Sequence, residues 1–199
     1  MFNNTIFLDI GTHDGQTLEE VVKPLYEFKV IYSFEPMPKQ YQHAFGIYSQ
    51  YKYVKLFNYG LSDKTATMNL YGSNNNMGAS IYATKRDVEP EIVTPCIFVE
   101  ASKFFRDNLS VDDSVIMKLN CEGSEIPILN NLIDSGEIWK IANVMIDFDI
   151  RKVEGMGHEE LLLMERFNTI GFDRYVLCDT VMVGSTHQAR INNWLTSIV

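Results

Sequence analysis

The residues best suited to chemistry begin with Phe7-Leu-Asp-Ile-Gly-Thr-His-Asp-Gly-Gln-Thr17. An apolar run delivers Asp9 and Gly11 to the end of a strand, and Gly15 opens a helix. Glycines let a backbone approach a ligand closely and adopt positive φ. Thr17 and the first helical amides could hold an anion, but Asp9 would repel a pyrophosphate. A carboxylate there suits a ligand that carries a cationic amino group. The spacing, D-x-G-x-x-x-G, is not the G-x-G-x-x-G of dinucleotide binders. An ordinary strand–turn–helix with glycines for geometry accounts for the motif equally well. Glu35-Pro36 ends the next apolar run, where an acidic side chain can accept both hydroxyls of a ribose. A solvent-exposed charge at a strand end is the plainer alternative.

A second group lies at Lys118-Leu-Asn-Cys-Glu-Gly-Ser-Glu125, bringing Lys118, Asn120, Glu122 and Glu125 to one strand–helix junction. Glu125 could simply favour the positive end of its helix. Asp147 and Asp149 alternate along an expected strand, so both carboxylates should point to one face. His158 follows Gly155-Met-Gly157 in a loop on the same side. Its ordinary pKa near neutrality makes it the most suitable base by type. The expected division of labour has His158 or the Asp147/Asp149 pair as base. Lys118, normally protonated, and Glu122 then position the substrate. Asn74–Asn76 could hydrogen-bond a polyol or could form a plain turn. His43 and His187 read as bland, and Cys121 as a small apolar neighbour.

The elements that must hold these residues alternate between short apolar runs and helical patterns, the mark of βαβ units around a parallel sheet. Strands are expected at 5–10, 30–34, 53–58, 65–71, 92–99, 114–119 and 143–148. Helices are expected at 17–28 (weakened by Pro24), 39–51, 101–108, 124–133 and 159–169. Two further short strands, 174–177 and 180–183, read as a terminal antiparallel hairpin. The fold class is therefore α/β: a doubly wound, mostly parallel seven-stranded sheet with a C-terminal antiparallel hairpin. One domain over 1–199 is expected, with 64–100 as a β-rich insertion near the substrate.

Composition narrows the function. The chain has 199 residues, 46% hydrophobic and 22% charged, with a net charge of −9. An acidic chain is poorly suited to a phosphate backbone, so no nucleic-acid partner is expected. No apolar run reaches the ~18 residues of a membrane span, and residues 1–10 lack the form of a secretory leader. Cys96, Cys121 and Cys178 form no C-x-x-C pair, which disfavours a zinc site and suits a reducing cytoplasm.

Phe7–Thr17, Ser33-Phe-Glu-Pro36 and Lys118–Glu125, with Tyr59-Gly-Leu-Ser-Asp63 between them, resemble the motifs of the FkbM family of S-adenosylmethionine-dependent methyltransferases. That pattern runs approximately V-D-I-G-A-x-x-G, F-E-P and K-I-D-V-E-G-x-E. The resemblance implies a class I, Rossmann-like methyltransferase fold. It also implies O-methylation of a small molecule, often a sugar or polyketide-type hydroxyl. Asp9, Gly11 and Gly15 would line the methionine part of the cofactor, Glu35 the ribose, and Gly60–Ser62 would lie near the adenine. His13, Thr17, Pro36, Leu61 and Asn120 complete the expected cofactor contacts. Asn120 departs from the pattern, which has Asp there. An amide is no base and a weaker metal ligand, so metal is expected to be dispensable. The departure also leaves open a non-catalytic S-adenosylmethionine binder. A nicotinamide-dependent oxidoreductase is the remaining alternative.

Overall fold

A computed structural model describes residues 2–72 and 78–198. Strand β1 (Thr5–Ile10) has every residue buried, as expected of a nearly unbroken apolar run at the centre of a parallel sheet. β2 (Val30–Phe34), β3 (Val54–Phe57), β7 (Ser114–Leu119), β8 (Ile141–Ile146) and β9 (Tyr175–Leu177) join it. The order is β3-β2-β1-β7-β8-β9, and every pairing is parallel. Strand order reverses between β1 and β7, the switch point at which open α/β sheets bind ligands. Register sets Asp9 between Ser33 on β2 and Lys118 on β7.

Both faces are covered. One carries α3 (Ala101–Asn108), α4 (Glu125–Ser135) and α5 (Glu159–Ile170), with Phe104, Leu129, Leu163 and Phe167 in a single core. The other carries α1 (Gln16–Val21), α2 (Pro38–Tyr48) and α7 (His187–Ser197), with Leu18, Ala44 and Trp194 packed around Phe7. A smaller sheet, ordered β4-β6-β5, comprises β4 (Gly60–Ser62), β5 (Ala66–Tyr71) and β6 (Val93–Glu100). Its Leu70, Cys96 and Phe98 pack toward Met37, just after β2.

The α/β fold and parallel sheet agree with expectation; the strand count and chain end do not. The main sheet has six strands, and the C-terminal hairpin is absent. β9 adds to the exposed edge of β8 in parallel, Tyr175 opposite Val144. Cys178–Val181 then forms a short helix, α6. Thr186 caps α7 by accepting from the Ala189 amide at 3.1 Å. Ile191, Trp194 and Leu195 form its buried stripe. That burial outweighs any pairing of 180–183 with β9. α1 also ends at Val21, three residues before Pro24, because proline disfavours helix in the residue before it.

Candidate active site

A cavity of about 270 Å³ opens over the C-terminal ends of β1, β2 and β7. The turn after β1 is wedged between the strands beside it. The amides of Gly11 and Thr12 donate to Phe34 O at 3.2 and 3.1 Å, and the Asn120 amide donates to Ile10 O at 3.1 Å. Gly11 has φ 87°, and a Cβ there would lie 1.7 Å from Asn120 O. Only glycine lets β1 and β7 leave the sheet this close together. Gly15 sits behind the cavity, its carbonyl accepting from the Tyr48 hydroxyl at 3.0 Å.

Glu35 lines the cavity while remaining buried. Oε2 accepts the His13 amide at 2.7 Å and Oε1 the Met37 amide at 2.9 Å. Burial pushes its carboxyl above the usual range, opposed by those two amides, His13 and Lys118. Asn58 fixes the exit of β2 by donating to the carbonyls of Glu35 and Pro36. Pro36, Gly60, Leu61 and His13 also line the cavity.

Asp9, expected beside the methionine part of the cofactor, does not line the cavity. It is fully buried behind the wall, and Lys118 Nζ stands 3.2 Å from its Oδ1 while donating to Gly11 O at 2.6 Å. The lysine lines the cavity in its place. Lys118 is thus a cationic neighbour of Asp9, while among the described residues neither Asp9 carboxylate oxygen accepts a hydrogen bond. Thr17 also lines the cavity, its Oγ1 3.0 Å from His187 Nε2.

On the β7 side, Asn120 and Glu122 line the cavity, while Asp147 and Asp149 stand behind them. Asn120 Nδ2 donates to Asp147 Oδ2 at 3.2 Å. β8 ends at Ile146, so the two aspartates do not alternate on a strand: Asp149 begins a 3₁₀ turn over Asp149–Lys152. Burial, with the nearby Asp149 charge, raises the Asp147 carboxyl. Glu122 has φ 60°, a left-handed conformation costly for a residue with a side chain. It is held by Ser80, whose Oγ donates to Glu122 O at 2.6 Å, and by Lys85, whose Nζ lies 2.7 Å from Oε2. Burial and a hydrogen bond to Asp149 raise the Glu122 carboxyl, against the pull of Lys85. Burial alone would also raise Asp149, but Glu122 and Lys152 together hold it below the usual carboxylate range. Lys152 Nζ lies 2.6 Å from Asp149 Oδ1.

Glu125 has no exposed surface and turns back to accept the amides of Cys121 and Gly123 at 2.9–3.1 Å. Burial pushes its carboxyl up to about 7. It braces the β7–α4 loop from behind.

His158 is not at the cavity. Its side chain is 62% exposed at the start of α5, 3.4 Å from Glu159. Buried Ile150 and Val153 pull the chain after β8 under the core, and Gly155 at φ 75° turns it outward. Asn74–Asn76 lie outside the described residues. Sequence reasoning missed Lys85, Ser80 and His187 as site residues, because each arrives from a distant segment. Only His187 had a usable signal, the Thr186 cap ahead of the Ile191/Trp194/Leu195 stripe. Among the described residues, no group of three or more His, Cys, Asp or Glu side chains could hold a metal ion. Nor is any helix among them long and apolar enough to cross a membrane.

A family model described as the methyltransferase FkbM domain matches residues 9–169, from Asp9 through most of α5. The chain belongs to the FkbM methyltransferase family. The crystal structure of methyltransferase FkbM from Methylobacillus flagellatus KT, at 2.20 Å, shares the fold, with a TM-score of 0.52 over 85% of this chain. The two are 14% identical, and this FkbM chain spans 38% of that one's length. No curated protein matches the chain. α7, which brings His187 to the cavity, lies beyond the matched residues.

Proposed function

We propose that the protein is an S-adenosylmethionine-dependent O-methyltransferase acting on a hydroxyl of a small molecule, a sugar or glycan. The observation that carries this reading is Glu35, a buried carboxylate on the cavity wall. Each oxygen accepts one backbone amide. A carboxylate oxygen has a second lone pair, so the pair can also accept a ribose diol. Beyond Glu35, Leu61, Leu70 and Phe98 offer apolar surface for a nucleobase. The residues present therefore fit the cofactor, which would supply a methyl group on a cationic sulfur.

An aliphatic hydroxyl is a poor nucleophile until its proton has somewhere to go. We assign that proton to Glu122, a cavity carboxylate beside buried Lys85 with Asp149 behind it. Burial and Asp149 raise its proton affinity against the pull of Lys85, leaving it a stronger base than an exposed carboxylate. Lys118 keeps Asp9 neutralised and the β1 turn closed. Orientation supplies most of the remaining effect.

Calorimetry with S-adenosylmethionine and S-adenosylhomocysteine tests the reading. Both should bind one site, and Glu35→Ala should weaken them about 10- to 150-fold, as expected for lost charge-assisted hydrogen bonds. Absence of heat with either ligand overturns it. Asn120, an amide that cannot take a proton, favours one second reading, a non-catalytic binder of the same cofactor. Labelled methyl appearing on any nucleotide sugar, glycan or polyketide alcohol excludes that alternative.

A further inference from the structure

Three zones of the cavity differ in chemistry. Leu61, Leu70 and Phe98 make an apolar end, and Glu35 supplies an ionisable acceptor in the middle. On the β1 side the wall includes Asp14, Thr17, Lys118 and His187. The Lys118 charge is offset by Asp9, 3.2 Å away. Burial and nearby Lys118 hold the His187 imidazole below its ordinary pKa, favouring the neutral ring. This zone therefore sets carboxylates (Asp14, with Asp9 behind) beside the Lys118 ammonium, and offers hydrogen-bond donors and acceptors from a hydroxyl and an imidazole. A zwitterion suits such a surface better than a lone anion or cation.

His187 is also firmly held. α7 buries Ile191, Trp194 and Leu195 completely. The Trp194 ring lies 6.2 Å from that of Phe7 on β1, and its Nε1 donates to Asn143 Oδ1 at 3.1 Å. Asn192 donates to the Tyr26 hydroxyl at 2.7 Å, and Gln188 to Glu19 at 2.6 Å. The Thr17–His187 contact at 3.0 Å joins residues 170 positions apart. These contacts span α7 and leave its first residue facing the cavity.

We infer that His187 and Thr17 bind the amino-acid end of the methyl donor, so that the C-terminal helix completes a site otherwise built from β1, β2 and β7. This inference rests on the S-adenosylmethionine reading above and adds a contact from outside the family-matched residues.

The test compares S-adenosylhomocysteine with 5′-methylthioadenosine, which keeps the nucleoside and sulfur but lacks the amino-acid group. Calorimetry on the parent should show the first binding more tightly. His187→Ala should weaken S-adenosylhomocysteine about 10- to 100-fold and leave 5′-methylthioadenosine within about twofold. Thr17→Val should show the same selectivity with a smaller loss, and His187→Gln should recover part of the affinity. An unchanged thermal midpoint excludes a folding effect. Equal weakening of both ligands, or unchanged affinity for S-adenosylhomocysteine, overturns the inference while leaving the donor reading intact. A parent that binds neither ligand overturns the donor reading, and the inference falls with it.

Discussion

Lys118 Nζ stands 3.2 Å from Asp9 Oδ1, and the two residues face each other in register on the central strands of the sheet. Both side chains are almost fully buried. Removing one partner of such a pair leaves an uncompensated charge in the interior. Lys118→Met should therefore lower unfolding free energy by about 3–5 kcal/mol. Adding Asp9→Asn to that variant should restore much of the loss. Urea titrations of the two variants decide this; a double variant no more stable than Lys118→Met would contradict it.

Glu125 makes stability depend on pH. Its carboxyl holds its proton to about 7 in the folded chain, against a usual value of 4.5. Below 4.5 both folded and unfolded states carry the proton. Between 4.5 and about 7 only the folded state does, so stability falls as pH rises through this window. The full effect is about 3 kcal/mol. Glu125→Gln should flatten the dependence, measured as unfolding free energy from pH 4.5 to 7.5.

Gly11 and Gly136 share positive φ, at 87° and 76°, but differ in their surroundings. A Cβ on Gly11 would overlap Asn120 O, whereas one on Gly136 meets nothing within 4 Å. Gly136→Ala should cost about 1–2 kcal/mol, the conformational term alone. Gly11→Ala should cost several kcal/mol more, because backbone rather than a flexible side chain must yield. Chemical denaturation of the two variants separates conformational from steric cost.

Glu122→Gln should slow methyl transfer about 10²- to 10⁴-fold while donor affinity stays within a few-fold, read by single turnover on an identified acceptor. Neighbouring variants should move the pH profile in opposite directions. The ionised form of Glu122 is the active one, so the rate rises with pH through its elevated pKa. Lys85→Met removes the cation that favours ionisation, shifting the rising limb to higher pH. Asp149→Asn removes the like charge and shifts it to lower pH. A purely structural role for Lys85 would lower the rate without moving the limb.

Features encoded within one stretch of chain were legible in the sequence. The β1 turn and Glu35 each lie within one short segment, and they meet where adjacent strands end. Ser114–Leu119 and Ala101–Asn108 occur with the expected bounds because pattern and boundary residues agree. Contacts fixed by tertiary packing were not legible. The Lys118 beside Asp9 comes from a strand more than a hundred positions on, and Glu122 gains its setting from Lys85 and Ser80, each about forty positions away. The terminal hairpin failed for a related reason. Thr180, Val181 and Val183 have β-branched side chains, but the edge of β8 takes Tyr175–Leu177 and the cluster around Trp194 takes Val181 and Met182, burial that local pairing would not supply. His158 was misplaced because its flanking glycines describe a turn, not its direction.

The parallel pairing of β1 with β7 also has a consequence for how the chain is made. Ile6 on β1 and Val115 on β7 are aligned although more than a hundred residues separate them. During synthesis β2 and β3 emerge soon after β1, whereas β7 emerges only after about a hundred further residues. Until then one edge of an apolar strand has no neighbour. Pairing across so long a loop is slow, and an open apolar edge invites association between nascent chains. Yield in an expressing cell should therefore respond more to chaperone supply and growth temperature than to surface charge.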